Sequence, residues 1–258
     1  MTAAVHPTAI VASSARLGDG VSIGPYAMIG DEVVLGPGTS VGAYASIQGP
    51  TVLGSENRVF PHAVLGFEPQ DLKYRGEPSR LVVGARNIFR EFCTIHRGTA
   101  ATGETVIGDE NFFLAYTHVA HDCHIGSHCI FSNNASLGGH IEVGDGVVLS
   151  AFVGGHQFTR IGSYAFVGAF TPIRQDILPF CKTDGNDAKT YGLNKIGLER
   201  NGFSKERVAI LDKAYRILIR SKLNTKQAVE RLESELSGHP DVRYLIDFVT
   251  SAKRGFHR

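Results

Sequence analysis

The sequence predicts a mainly β protein: a parallel β-helix built from six-residue repeats, followed by a C-terminal α-helical bundle. Three observations predict it. From Val5 to Ile173, and across two interruptions, every sixth residue except Gly155 is aliphatic or aromatic: of 26 such positions 22 are Val, Ile or Leu, and 14 are followed by Gly. Two residues before each sits a compact side chain, as in Ala9, Ala15, Val21, Ala27, Val33, Thr39 and Ala45. After Ile177 and Pro179 the hexads stop and helical spacing begins.

A fixed short period decides the architecture before any local propensity does. Both repeating positions must point inward, the large residue filling a prism and the small one completing its layer. The glycines are expected to supply backbone freedom at the corners. Three hexads make one triangular coil, so residues eighteen apart stack about 4.8 Å apart in a parallel ladder. About nine coils are expected from the repeat length. Cys93, Cys123 and Cys129 fall on the small inward position and are read as core packing.

The repeat is interrupted at residues 67–82, FEPQDLKYRGEPSRLV, and near residues 99–104, TAATGE. Both segments should leave the prism as loops, and loops on a rigid scaffold commonly carry function. In the tail, Ser204 is a plausible N-cap for a helix burying Val208, Leu211, Tyr215, Leu218 and Ile219. Asn224 or Thr225 opens a further helix through Ser237, and Pro240 a last one reaching Val249.

Two domains follow, residues 1–181 and 182–258. The first carries 10 Lys and Arg against 15 Asp and Glu, the second 16 against 10, so a basic module sits on an acidic body and suits an acidic partner. No run of eighteen apolar residues suggests a membrane span, and the first stretch has no basic leader region. Four cysteines without a CxxC spacing fit a reducing compartment, so a cytoplasmic protein is expected. Nothing points to nucleic acid.

The eighteen-residue coil serves as a coordinate system. It stacks His121, Gly139 and Gln157 in one column and Asp122, His140 and Phe158 in the next, with His118 and His156 close by. His121 beside Asp122 suits a general base whose partner carboxylate orients the imidazole. Gly139 can offer a backbone N–H to a developing oxyanion, which suits acyl transfer. The same histidines also fit a zinc site of the β-helical carbonic anhydrase kind, or a scaffold without catalysis. The neighbouring carboxylate and the glycine favour acyl transfer.

The segments VHPTAIV, QDLKYRGEPSR, TIHRGT, HVAHDCHIG, NNASLGGH, GGHQF and LNKIGLERNGF closely resemble the UDP-N-acetylglucosamine O-acyltransferases of lipid A biosynthesis, a hexapeptide-repeat family, almost end to end. That resemblance implies left-handed winding, an exception to the usual crossover hand. It implies a 3-hydroxyacyl transfer from acyl carrier protein to the sugar 3-hydroxyl of UDP-N-acetylglucosamine. It also implies a homotrimer with its sites between subunits, and neither metal nor cofactor beyond the carrier protein. Carried over by motif, His121 is the base, Asp122 its support and Gly139 the oxyanion donor. Gln70, Asp71, Lys73, His118 and His140 hold the sugar; His156, Gln157, Asn194 and Arg200 bind the diphosphate and uridine. Ala169 closes the acyl groove, which makes it slightly shorter than in members with Gly there. Ile196 departs from the acidic residue many members carry. The acceptor alternatives are the 3-amine of a diamino UDP-sugar, or the related UDP-sugar N-acylation; enzymes of the latter kind usually have an added N-terminal domain, whereas the hexads here begin at Val5.

Overall fold

In the computed structural model, which describes residues 2–258, the chain winds into a left-handed parallel β-helix capped by helices. Each of the 26 repeat positions lies in a strand of two to four residues, and these strands stack into three parallel sheets, the faces of a triangular prism. The first face runs from Ala4–Val5 to Phe166–Val167, the second from Ile10–Val11 to Pro172–Ile173, the third from Arg16–Leu17 to Arg160–Ile161. The second face has nine strands, one per coil. Register follows the repeat: Val5 opposes Ile23, Ile29 opposes Ile47, and Ile125 opposes Val143.

The inward layers form one continuous apolar core, from Val21 to Ile177. Stacked rings of Phe89, Phe113 and Phe131, 5.0 and 4.8 Å apart, fill its middle. Gly155, the odd residue of the repeat, is matched to its layer: a Cβ there would lie 2.7 Å from a Leu137 methyl and 2.8 Å from one of Ile141. Ile141 is large where most coils carry a small residue, so the two positions exchange volume. On the first face the compact positions Asn57, Asn87 and Asn111 form a buried ladder. The Asn57 carboxamide oxygen accepts the Asn87 N–H at 2.9 Å, that of Asn87 accepts the Asn111 N–H at 2.9 Å, and that of Asn111 accepts the Cys129 N–H at 2.8 Å.

The repeat glycines do something other than expected. Gly18, Gly24, Gly30, Gly36, Gly42 and Gly54 are not in the left-handed region; the corner residues at positive φ are mostly non-glycine, among them Tyr26, Tyr44, Asp122 and His140. What the glycines provide is room. A Cβ on Gly36 would fall 2.4 Å from the backbone carbon of Gly54 in the next coil, and one on Gly42 would fall 2.7 Å from the nitrogen of Pro61.

Both interruptions leave at one corner, between the second and third faces, and both end earlier than expected. Phe67 ends the strand Val64–Phe67, and Arg80–Val83 is a strand paired on Thr51–Leu53, so only residues 68–79 leave the prism. In the second, Glu104 already belongs to the strand Glu104–Ile107. Ladder bonds extend the strands as far into each loop as a neighbouring coil offers partners.

The expected boundary after Cys181 falls within a shared region. The prism core ends at Ile177 and a second core begins at Leu178, while Cys181–Asp184 still pairs in parallel with Phe166–Val167 before turning into a hairpin with Lys189–Leu193. Four helices follow: α1 (Lys195–Arg200), α2 (Lys205–Tyr215), α3 (Thr225–Leu236) and α4 (Pro240–Thr250). Ser204 caps α2, and Asn224 with Gln227 forms a capping box on α3. Arg160 fastens α4 to the third face, paired to Asp176 at 2.7 Å and donating to the Phe248 carbonyl at 3.0 Å. No helix among the described residues is long and apolar enough to cross a membrane.

Asn87→Ala is expected to destabilise the fold by about 3 kcal/mol, because it leaves the Asn111 N–H and the Gly108 carbonyl buried without partners. Chemical denaturation at fixed protein concentration measures this; a loss below about 1 kcal/mol would mean that water replaces the ladder.

Candidate active site

The corner between the second and third faces collects the chemistry. His121 lies at the turn after the strand His118–Val119, and Asp122 follows it in the left-handed conformation at φ 60°. That geometry turns the Asp122 carboxylate back on the ring, with His121 Nδ1 at 2.7 Å from Oδ2. The columns stack as the repeat requires: the His140 N–H donates to the His121 carbonyl at 3.0 Å, and the Phe158 N–H to that of Gly139 at 3.2 Å. Gly139 lies flat against the imidazole. A Cβ there would meet His121 Cε1 at 2.5 Å and Nε2 at 2.8 Å, and among the described residues its N–H has no acceptor. Glycine at this point admits the ring to the backbone.

Asp122 is buried, and burial alone would raise its pKa; the Thr102 hydroxyl, the Thr99 N–H at 3.0 Å, His121 and the Thr99 hydroxyl at 2.7 Å together bring it down to about 2. The carboxylate therefore stays ionised across the physiological range. Both threonines belong to the second interruption, so that short loop exists to cap one carboxylate. The repeat could not reveal this, because a loop has no place in the eighteen-residue arithmetic. The signal was the loop's point of departure, soon after Ile95 and on the same edge as His121.

Around this dyad burial favours the neutral forms of His96, His118 and His140. Burial lowers the pKa of His118, whose Nδ1 lies 2.7 Å from the Thr94 hydroxyl. Burial also lowers that of His140, partly offset by the charges of Asp122 and Asp71. The His140 ring stacks on Phe158 at 4.5 Å and stands edge-on to His121 at 5.1 Å. His96 was missed from sequence. It occupies the slot after the aliphatic residue where glycine is usual, and its ring packs edge-on against His118 at 5.2 Å. Burial beside His118 pulls it down to about 4.

Of the remaining expected residues, Gln70, Asp71 and Lys73 sit in the loop leaving the same corner; Gln70 and Lys73 are exposed, and the Asp71 carboxylate accepts the Lys73 N–H at 3.0 Å. His156 and Gln157 are exposed on that corner one coil further on. Three lie elsewhere in the chain. Asn194 is buried as the cap of α1, accepting from the Gly197 N–H and donating to the Tyr164 carbonyl at 3.0 Å. Arg200 is exposed at the end of α1, and Ala169 is exposed at the corner between the first and second faces.

Asp122, His140 and Phe158, though not His121, line a groove of about 830 Å³ between the third face and α4. His121, Asp122 and His140 place ligand atoms within 4.8 Å of one another. A metal there would have to displace existing partners, since His121 Nδ1 is bonded to Asp122 and both oxygens of Asp122 already accept hydrogen bonds.

A family model described as UDP-N-acetylglucosamine O-acyltransferase, domain 2, matches residues 176–257, and the bacterial transferase hexapeptide model matches residues 104–139. The chain is 51% identical over 257 residues to the acyl-[acyl-carrier-protein]–UDP-N-acetylglucosamine O-acyltransferase of Thiobacillus denitrificans, covering 99% of this chain and 100% of the relative. It is 50% identical over 253 residues to that of Stenotrophomonas maltophilia, covering 97% and 96%. Among solved structures, the UDP-N-acetylglucosamine acyltransferase of Francisella novicida superposes with a TM-score of 0.96 at 34% identity, over 98% of this chain and 94% of that one. The one from Bacteroides fragilis gives 0.95 at 38%, over 98% and 99%.

Gly139→Ala is expected to push the imidazole off its seat and lower kcat at least a hundredfold, while melting within a few degrees of the parent; a fully active variant would separate Gly139 from catalysis. The buried histidines set a pH dependence as well. Because the folded pKa of His96 lies near 4, below the unfolded value of about 6.5, the unfolded chain binds the extra proton between those values. Stability contributed here is complete above pH 6.5 and is lost as pH falls toward 4. Melting temperatures across that window should fall less steeply for His96→Phe than for the parent.

Proposed function

Because the chain belongs to the UDP-N-acetylglucosamine O-acyltransferase family, we propose that its acyl donor is a 3-hydroxyacyl carrier protein and its acceptor the 3-hydroxyl of UDP-N-acetylglucosamine, the first step of lipid A biosynthesis. The observation that carries this reading is the imidazole of His121 held between the ionised Asp122 and the backbone of Gly139. His121 Nε2 takes the proton of the sugar hydroxyl as its oxygen attacks the thioester carbonyl. The tetrahedral oxyanion takes a hydrogen bond from the Gly139 N–H. The intermediate collapses, the C–S bond breaks, and the leaving thiolate receives the proton from the imidazolium. Asp122 stabilises that imidazolium without itself being protonated, since its pKa is near 2. Base, oxyanion donor and activated thioester suffice, so the reaction as read needs no metal or organic cofactor.

Relatives named for O-acylation favour the hydroxyl over an amine acceptor. For the sugar, the reading assigns Gln70, Asp71, Lys73, His118 and His140, all at or beside the dyad's corner. His156 and Gln157 are assigned to the diphosphate. Arg200 has a free guanidinium that suits phosphate bidentately, and Asn194 offers at most what its helix cap leaves over.

We also assign a homotrimer. Ala169, proposed to limit the acyl chain, lies at the corner between the first and second faces, whereas His121 lies between the second and third, so one prism cannot bring them together. The Ala169 corner carries a column of exposed rings, Tyr26, Tyr44, Phe92, Tyr116, Phe152 and Phe170, stacked about 5 Å apart where they adjoin. A contiguous exposed apolar stripe suits burial against another subunit. For the carrier protein, the groove between α1 and α2 presents Lys195, Lys205, Lys213 and Arg216 around Asp212; Lys195 and Arg216 pair with Asp212 and Lys213 with Glu235, and the positive excess of the groove complements an acidic partner. A carrier-linked donor and a sugar nucleotide place the reaction in the cytoplasm.

Incubating the purified protein with UDP-N-acetylglucosamine and 3-hydroxyacyl carrier protein should yield the 3-O-acyl product. His121→Ala should lose at least a hundredfold in kcat, and a variant retaining most of the rate would remove His121 as the base.

A further inference from the structure

Among the described residues the buried side-chain polar atoms left without a hydrogen bond are Ser79 Oγ, His96 Nδ1 and Arg97 Nε, and all three lie at the root of the loop formed by residues 68–79. Arg97 is the node. Its side chain is 11% exposed, and the guanidinium donates to the carbonyls of Gly49 and Gly66 at 3.3 Å each and approaches Glu68 at 3.5 Å. Its best hydrogen bond, at 3.0 Å, goes to the Tyr74 hydroxyl, which in turn donates to the Glu77 carbonyl at 3.0 Å. The guanidinium also stands 5.8 Å from the centre of the Tyr74 ring.

Tyr74 closes a tight turn. Its N–H donates to the Asp71 carbonyl at 3.0 Å, and within that turn the Asp71 carboxylate accepts the Lys73 N–H. A buried cation is costly unless paired. Neither carbonyl can neutralise this one, and Glu68 is mostly exposed. Arg97 thus holds its place through geometry, as a peg onto which the loop is hung.

We propose that Arg97, acting through the Tyr74 hydroxyl, is a positioning residue that sets the turn Asp71–Tyr74 against the catalytic corner and so fixes affinity for the acceptor sugar. This rests on the reading that Asp71 and Lys73 hold the sugar. Neither Arg97 nor Tyr74 touches the reacting atoms. The tether changes how often the turn is in its binding geometry, not the chemistry after binding, so its loss appears in KM for the sugar nucleotide rather than in kcat.

The test is steady-state kinetics on Tyr74→Phe, which removes only the hydroxyl, with Arg97→Lys, Asp71→Ala and Lys73→Ala alongside. For Tyr74→Phe, KM for UDP-N-acetylglucosamine should rise about tenfold, the size of one hydrogen bond to a charged group. Its kcat, its KM for the acyl donor and its melting temperature should stay near the parent values. Arg97→Lys, which keeps the charge but not the fork, should raise the same KM to a similar extent. If Asp71→Ala and Lys73→Ala raise the acceptor KM and Tyr74→Phe does not, the tether is wrong while the sugar site stands. If none of them moves it, the sugar site falls and the tether with it. A fall in kcat of Tyr74→Phe that matches a lowered melting temperature would make the contact merely structural and overturn the proposal.

Discussion

Each coil of this protein lies directly on the next, joined by N–H groups that donate to carbonyls seventeen residues further on, as from Gly24 to Val41 and from Gly126 to Val143, both at 2.8 Å. At the corner after the third face the next coil leaves no room for a side chain at the position after the aliphatic residue, and glycine recurs there in every coil from Gly18 to Gly162, while the turns themselves use Tyr, Asp and His. The stacking is also a lock on register. A slip of one residue would turn every Val, Ile and Leu outward and bring polar neighbours in, so the corner residues cannot drift relative to one another. Placing His121, Gly139 and His140 within contact distance is a by-product of the same ladder that builds the core.

Burial acts on all the ionisable groups at that corner, yet with opposite outcomes. It drives His96 and His118 toward their neutral forms, because the charged imidazolium finds no anion close by to compensate desolvation. Asp122 is at least as buried and remains ionised, since donors from residues 99 and 102 and from His121 converge on its two oxygens. The result is one fixed negative charge beside His121, placed to stabilise positive charge that develops on its ring.

The prism was legible because a period of six with a large and a small inward residue has few other solutions, and its columns could be counted from Val119 to Thr159 without a break. Helix starts were legible where caps were, at Ser204, Asn224 and Pro240. The loop ends were not. Residues 80–82 carry Arg, Leu and Val, which read as loop from composition yet belong to the strand Arg80–Val83, whose Leu81 to Val83 pair with Thr51 to Leu53 because an open ladder edge was waiting for them. The hairpin of Cys181–Asp184 and Lys189–Leu193 was missed for a like reason, since the last coil offers an edge that no repeat announces. Thr99, Thr102, His96 and Arg97 owe their roles to where loops leave the prism, and that is a three-dimensional fact that spacing does not encode. The glycines were recognised but misread: a residue without a side chain can be needed for its φ or for its emptiness, and sequence alone does not distinguish them.

The two corners raise a constraint that no single chain meets. His121 and the loop of residues 68–79 share the edge between the second and third faces, while Ala169 and the exposed rings share the edge between the first and second. A triangular prism holds its edges a full face apart, with a solid core between, so nothing short of unwinding could bring one edge to the other. If Ala169 limits the acyl chain, it limits the chain bound at a neighbour's His121. Three prisms around an axis solve this, because the second face of each then turns inward and its two edges meet the unlike edges of its neighbours. On that arrangement the aromatic column is both the seam of the assembly and the wall along which an acyl chain lies. Changing its width would then alter chain-length preference and subunit affinity together.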